Sequence, residues 1–178
     1  MFLEPLKYHT TLKWFVILTR SRAEKKVAER LTEINILVYL PVYNKQSHWS
    51  DRTKNIELPL IPSVIFVHCT EQQLPAILKA AGTVRVLKYL RKPAVVHEYE
   101  IENLKIMLQQ ANKFEPLTPM SLMEGELIEV ISGPFKGLKA TYIEHLGKFK
   151  IIVLIKALHA FFQVEVATNA IKKIRVAV

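Results

Sequence analysis

Aspartate is nearly missing from this chain. Asp51 is the single example among 178 residues that otherwise carry glutamate as their acid, 16 acidic against 25 basic side chains in all. Cysteine is equally scarce, with Cys69 alone, and there are only five glycines. Each shortage excludes something. One thiol forms no intramolecular disulfide and fits a reducing compartment. Five scattered glycines build no glycine-rich phosphate loop. The six histidines (His9, His48, His68, His97, His145, His159) share no metal-ligand spacing, so neither a metal nor another cofactor is expected. His68 precedes Cys69 directly, but adjacent strand residues point to opposite faces. That pair reads as a buried thiol beside an edge histidine rather than as nucleophile and base. The expectation is a protein that acts by binding and is not an enzyme.

Long apolar runs are absent as well. Glu4, Lys7 and Lys13 interrupt every apolar stretch near the N-terminus, which predicts no secretory signal. No stretch is long enough to span a bilayer. A cytoplasmic protein without a membrane partner is expected. Internal repeats and low-complexity tracts are also missing.

What is present supports a folded, basic protein. Half of the residues are hydrophobic, enough for a core in one or two small domains. The net charge of +9 favours anionic partners such as nucleic acid. Many soluble basic proteins bind no nucleic acid, so charge alone leaves both readings open. Residues 1–110 carry 16 basic against 10 acidic side chains, and residues 111–178 carry 9 against 6. Arg20, Arg22, Lys25, Lys26 and Arg30 form the densest basic group. Their alternative meaning is a solvated helix face interleaved with Glu24, Glu29 and Glu33.

Periodicity predicts two units. Residues 14–18 are a wholly apolar run, short enough for a buried strand. Residues 23–34 switch to helical spacing, with Val27, Leu31 and Ile34 on one face and Glu24, Lys25, Glu29 and Arg30 elsewhere. A strand is predicted over 36–42, an exposed hairpin or loop over 45–57, and a buried strand over 63–67. A short helix over 71–80, a strand over 84–87 and a helix over 98–110 follow, the last with Ile101, Leu104 and Leu108 on one stripe. This is an α+β unit, helices flanking an antiparallel sheet. Residues 111–123 hold Pro116 and Pro119, lack apolar period and read as a linker. Domains are therefore expected at 1–110 and 124–178. The second shows strand patterns at 127–131, 139–144, 149–155, 162–167 and 171–174, with 145–148 a hairpin tip. Five short strands suit a small closed β-barrel, which leaves no exposed edge.

The richest single segment opens that second domain. Gly125-Glu126-Leu127-Ile128-Glu129-Val130-Ile131-Ser132-Gly133-Pro134-Phe135-Lys136-Gly137 alternates Ile128 and Val130 against Leu127, Glu129 and Ile131, then turns tightly. Gly133 and Gly137 supply backbone freedom and Pro134 fixes φ between them. This string resembles the KOW motif of NusG-type transcription factors and of some ribosomal proteins. The first domain resembles the N-terminal domain of the NusG family in the same order. The matching pieces are Trp14-Phe15-Val16; Glu24, Ala28 and Leu31; Tyr39-Leu40-Pro41; residues 59–67; Gly82-Thr83-Val84-Arg85; and Lys92-Pro93-Ala94-Val95-Val96. Where the family usually has an aromatic followed by Pro-Gly-Tyr, this chain has Ile61-Pro62-Ser63-Val64. That departure and the short linker look like the specialised paralogues, RfaH and the capsule-operon (UpxY-type) antiterminators.

The resemblance implies a transcription elongation or antitermination factor, the reading that accounts for residues 14–96. An RNA-binding KOW protein of the ribosome is the alternative. The resemblance further implies docking of the first domain on the clamp helices of RNA polymerase, which suppresses pausing or termination. By position, the docking patch would be Leu18, Ile61, Pro62, Val64 and Tyr89, although strand alternation allows Leu18, Ile61 and Val64 to be core residues instead. Arg20, Arg22 and Lys26 would touch non-template DNA in the elongation complex. The segment Gln73-Leu74-Pro75 is too apolar to carry over the base reading of RfaH. The KOW domain would recruit a ribosomal protein or Rho through Phe135, Ile155, Lys156, Leu158 and Phe161. Phe161 and Phe162 must face opposite ways, so one is core and the other the contact. A monomer is expected.

Overall fold

The computed structural model describes residues 11–49, 52–109, 114–117, 127–145, 148–158, 160–166 and 170–174. The apolar run near the N-terminus becomes β1 (Lys13–Thr19), an interior strand buried on both faces. After α1 (Glu24–Glu33) come β2 (Leu37–Tyr39), the hairpin strands β3 (Val42–Trp49) and β4 (Arg52–Pro59), and β5 (Val64–Cys69). A 3-10 turn (Glu71–Gln73) runs into α2 (Leu74–Ile77), followed by β6 (Thr83–Val86), β7 (Lys88–Tyr89), β8 (Lys92–Pro93), β9 (Val95–Val96) and α3 (Glu98–Gln109). Then come β10 (Phe114–Leu117), β11 (Leu127–Val130), β12 (Lys139–His145), β13 (Lys148–Ile155), β14 (Ala160–Glu165) and β15 (Ile171–Lys173). The chain divides into two units, one drawn from residues 1–40 and 63–95, the other from 41–62 and 96–178.

The first unit is built on an antiparallel sheet in the order β2-β5-β1-β6, with β9 also pairing β1. Phe15 and Ile17 of β1 and Ile65, Val67 and Cys69 of β5 share one face, where Val27 and Leu31 of α1 and Leu74 and Ile77 of α2 cover them. Burial of this order contributes about 1.5–3 kcal/mol per large side chain, which explains why a ten-residue helix persists here. The end of α1 departs from the simple periodic reading. Ile34 is 53 % exposed, because the helix stops at a left-handed Asn35 with φ 61. The N–H of Asn35 donates to the Thr32 carbonyl and that of Ile36 to the Leu31 carbonyl, a Schellman closure. Ile36 is thereby folded back beside Leu31 and takes the core place expected of Ile34. Glu24, assigned to the solvent face by period, is also buried. The helix expected over 71–80 is shorter: Thr70 and Gln73 close a capping box, and α2 spans a single turn.

The second unit holds the β3–β4 hairpin, in which Val42 pairs with Pro59, and an all-antiparallel sheet in the order β10-β14-β13-β12-β11-β15. Two differences from the sequence reading stand out. Phe114–Leu117, inside the stretch read as a linker, is a strand paired with β14. Pro116 lies in it without penalty because β10 is an end strand, where a missing N–H costs no ladder bond. Among the described residues the sheet thus has six strands rather than five, and its end strands β10 and β15 do not pair with each other to close a barrel. The KOW-like alternation is as read. Ile128 and Val130 are buried, while Leu127 and Ile131 are exposed, and Gly133 and Gly137 both take positive φ.

Helix α3 belongs with this second unit rather than with the first. Its buried stripe is Glu100, Ile101, Asn103, Leu104 and Met107, with Met107 in the place expected of Leu108. The Glu100 carboxylate accepts the His97 N–H at 2.8 Å, so the third residue of the helix caps its own start. The Asn103 side chain then pairs with Lys139 of β12 as a strand would. Its amide nitrogen donates to the Lys139 carbonyl at 2.6 Å and its oxygen accepts the Lys139 N–H at 3.0 Å.

Candidate functional site

Arg20 and Arg22 sit on the loop between β1 and α1, which is tied at both ends. The N–H of Thr19 donates to the Ser63 carbonyl, and that of Arg20 donates to the Gly82 carbonyl, each at 2.9 Å. A register shift between Leu18 and Thr19 bulges the β1–β6 pairing just before this loop, and Thr19 still pairs with Thr83. Glu24, at the first position of α1, accepts the Ser63 N–H at 2.7 Å. This buried carboxylate joins the helix start to the strand connection, a role the helical period does not reveal. Arg22 holds φ 61 in the same loop. Arg20, Arg22 and Lys26 are all exposed, whereas the Arg30 guanidinium donates to the Ala81 carbonyl at 2.6 Å. The loop therefore presents Arg20 and Arg22 on a backbone fixed by hydrogen bonds, and Lys26 follows on the first turn of α1.

Ser63 explains the missing glycine of the Pro-Gly-Tyr pattern. Its φ is 60, so the position keeps the left-handed backbone even though a side chain occupies it. The apolar candidates separate by exposure. Val64 is 4 % exposed and opposite Leu18 in the β1–β5 register. It is a core residue here and offers almost no area to a partner. Leu18 and Ile61 are partly exposed, Pro62 is exposed, and Tyr89 is 64 % exposed on the β7–β8 hairpin.

In the second unit, Phe135 and Phe162 are both buried. Phe135 is thus a core residue rather than a contact, because the Gly133–Gly137 turn folds it inward next to Leu138, which is also buried. Phe162 is the inward member of the phenylalanine pair. The side chains of Ile155, Lys156 and Phe161 lie outside the described residues. Leu158 is partly exposed in a 3-10 turn (Lys156–Leu158) that joins β13 to β14.

The thiol and histidine behave as structural groups. Cys69 is buried in the first core, and burial pushes its pKa up to about 11. His68 stacks on Trp14 of the neighbouring strand, ring centroids 4.9 Å apart. β5 lies between β2 and β1, so this histidine is interior to the sheet and not at its edge. Among the described residues, no three His, Cys, Asp or Glu side chains gather where they could hold a metal. No helix among them is long and apolar enough to cross a membrane.

An antiparallel sheet with helices on one face, an exposed basic loop and a second, strand-built unit define a two-part α+β protein. Residues 12–105 match the family model described as transcription termination factor NusG, and the chain belongs to the NusG family. Its role is accordingly in transcription. The chain is similar to the transcription termination/antitermination protein NusG of Rickettsia typhi, 22 % identical over 182 residues covering 95 % of this chain and 94 % of that protein. It is 24 % identical to the NusG of Rickettsia felis over 174 residues, 90 % of each. Among solved structures, one on domain interaction in Thermotoga maritima NusG resembles it with a TM-score of 0.51 at 18 % identity, covering 93 % of this chain and 98 % of that one. That likeness concerns the fold.

Proposed function

We propose that the chain is a transcription elongation or antitermination factor that binds RNA polymerase and suppresses pausing or termination. The observation that carries this is the family match over residues 12–105, which takes in the whole exposed basic loop and the Tyr89 hairpin. Leu18, Ile61, Pro62 and Tyr89 supply the apolar side of the contact, since each keeps some exposed area. Arg20, Arg22 and Lys26 meet phosphates of the non-template DNA strand, which fixes position without reading sequence. The second unit recruits a further protein, a ribosomal protein or Rho, through the β13–β14 turn around Leu158. The serine in the left-handed position of Ile61-Pro62-Ser63-Val64 supports a specialised RfaH-like or capsule-operon paralogue over a housekeeping member.

Capture of core RNA polymerase by the full chain tests the reading. Tyr89→Glu and Ile61→Glu place a charge in the contact and should weaken capture while circular dichroism stays unchanged. Val64→Glu is no test of docking, because it would unfold the core first. Arg20→Ala with Lys26→Ala should flatten the dependence of log affinity on log salt for the elongation complex, by about one for each phosphate that goes without its cation. Absence of any polymerase capture by the folded wild-type chain would refute the proposal.

A further inference from the structure

Between Glu71 and Glu98 the chain holds no acidic residue, yet Lys79, Arg85, Lys88, Arg91 and Lys92 all lie in that stretch. All five are exposed, and among the described residues Arg85, Lys88, Arg91 and Lys92 pair with no carboxylate. Three of these cations stand on one arm. β6 leaves β1 after Val86, the Leu87 N–H donates to the Val16 carbonyl, and the chain pairs with β1 again at β9. The β7–β8 hairpin is the excursion between these two contacts. Its base is closed by the Ala94 N–H donating to the Leu87 carbonyl at 2.9 Å, and Ala94 is buried. From Lys88 to Lys92 every residue is exposed.

The turn at the arm's tip is built from unusual residues. Leu90 and Arg91 hold φ of 48 and 66, the successive left-handed pair of a type I′ hairpin, where Asn-Gly is favoured. A leucine there is a poor turn former, and at 79 % exposure it is not a core residue either. Tyr89 beside it is exposed as well. The arm thus offers a flat aromatic face and an apolar tip, ringed by cations and free of acids.

We propose that this arm binds single-stranded nucleic acid, with Lys88, Arg91 and Lys92 against phosphates and the Tyr89 ring stacked on a base. A single strand exposes base faces that a duplex hides, and an exposed ring beside cations matches that chemistry without reading sequence. An acidic protein surface would satisfy the cations and leave the aromatic face unused. The site is separate from Arg20, Arg22 and Lys26, and it gives Tyr89 a second role besides the polymerase contact.

The test uses the full chain without polymerase, so its outcome does not depend on the polymerase reading. Fluorescent oligo-dT and oligo-U of about 15 nucleotides and a duplex of the same length are titrated at several salt concentrations. Both single strands should bind more tightly than the duplex. The tighter of the two identifies exposed DNA or transcript as the strand held, and either supports the site. Tyr89→Ala should weaken single-strand binding roughly tenfold and leave duplex binding little changed. Replacing Lys88, Arg91 and Lys92 together by alanine should lower the log–log salt slope by about two, at roughly 0.7 per phosphate on a single strand. All these residues lie outside the core, so circular dichroism should be unaltered. Wild-type affinity and slope in both variants would overturn the proposal. So would duplex bound by the wild-type chain as tightly as either single strand, which would leave the Tyr89 ring without a stacking role.

Discussion

Replacing Asn103 by alanine should cut the tie between α3 and the start of β12. The two hydrogen bonds it removes, of 2.6 and 3.0 Å, satisfy both backbone groups of Lys139. Lys139 lies before the first pair of the β12–β13 ladder, Thr141 with Ile152, so β13 does not serve it. Asn103 is 2 % exposed, which leaves little room for water to take its place. Each bond is worth about 1 kcal/mol net, and each buried group left unpaired adds a penalty of about 1–3 kcal/mol. Lys139 is itself exposed, so one group regains water, and alanine returns about 0.5 kcal/mol of helix propensity. The expected net loss is roughly 2–4 kcal/mol. Urea unfolding measures it, and hydrogen exchange at the Lys139 amide locates it. Asn103→Asp should fare no better, since a carboxylate accepts from the N–H but repels the carbonyl. An Asn103→Ala midpoint equal to wild type, with the Lys139 amide still protected, would show that the side chain does not hold β12 to α3.

Three further outcomes follow from the backbone and the buried thiol. Ser63→Gly should stabilise the chain by about 0.5–1 kcal/mol, because φ 60 costs a side chain about 1–2 kcal/mol and glycine returns part of that in unfolded-state entropy; thermal denaturation reads the difference. Gly82→Ala should destabilise by roughly 1–3 kcal/mol, since φ is +102 and the added Cβ would lie 2.8 Å from Val27 Cγ2; a wild-type midpoint would contradict this. Cys69 has its folded pKa raised from 9.0 to about 11, so the stability it contributes is full below pH 9 and lost as pH rises towards 11. Native-state alkylation at a pH of about 8 should be slow and should accelerate in urea, and rapid labelling of the folded chain would place the thiol at the surface.

Elements with a strong local pattern are legible in the sequence, and those set by distant partners are not. The run from Trp14 to Leu18 announces a strand covered on both faces, and Ile128 and Val130 announce their shared face. Ile34 is misleading because the helical period carries on past the point where Asn35 turns left-handed, a stop that periodicity does not register. Pro116 argues for a linker because proline opposes a strand interior, and only the order of the sheet reveals that β10 is an end strand. Asn103 carries no local signal, since its partner lies 36 residues away. Glu24 reads as a solvated helix residue until the Ser63 N–H is found against it. Among site candidates, the cations Arg20, Arg22 and Lys26 are exposed, as their types suggest. Val64 and Phe135 belong to the core, since alternation alone does not say which face of a strand meets a partner.

Single-round transcription by core RNA polymerase on a template carrying a pause and a downstream terminator, with and without the full chain, measures the proposed activity most directly. A shorter pause or more readthrough is expected on adding the wild-type chain, and little of either with Tyr89→Glu. Pausing and readthrough unchanged by a folded wild-type chain at saturating concentration would contradict it.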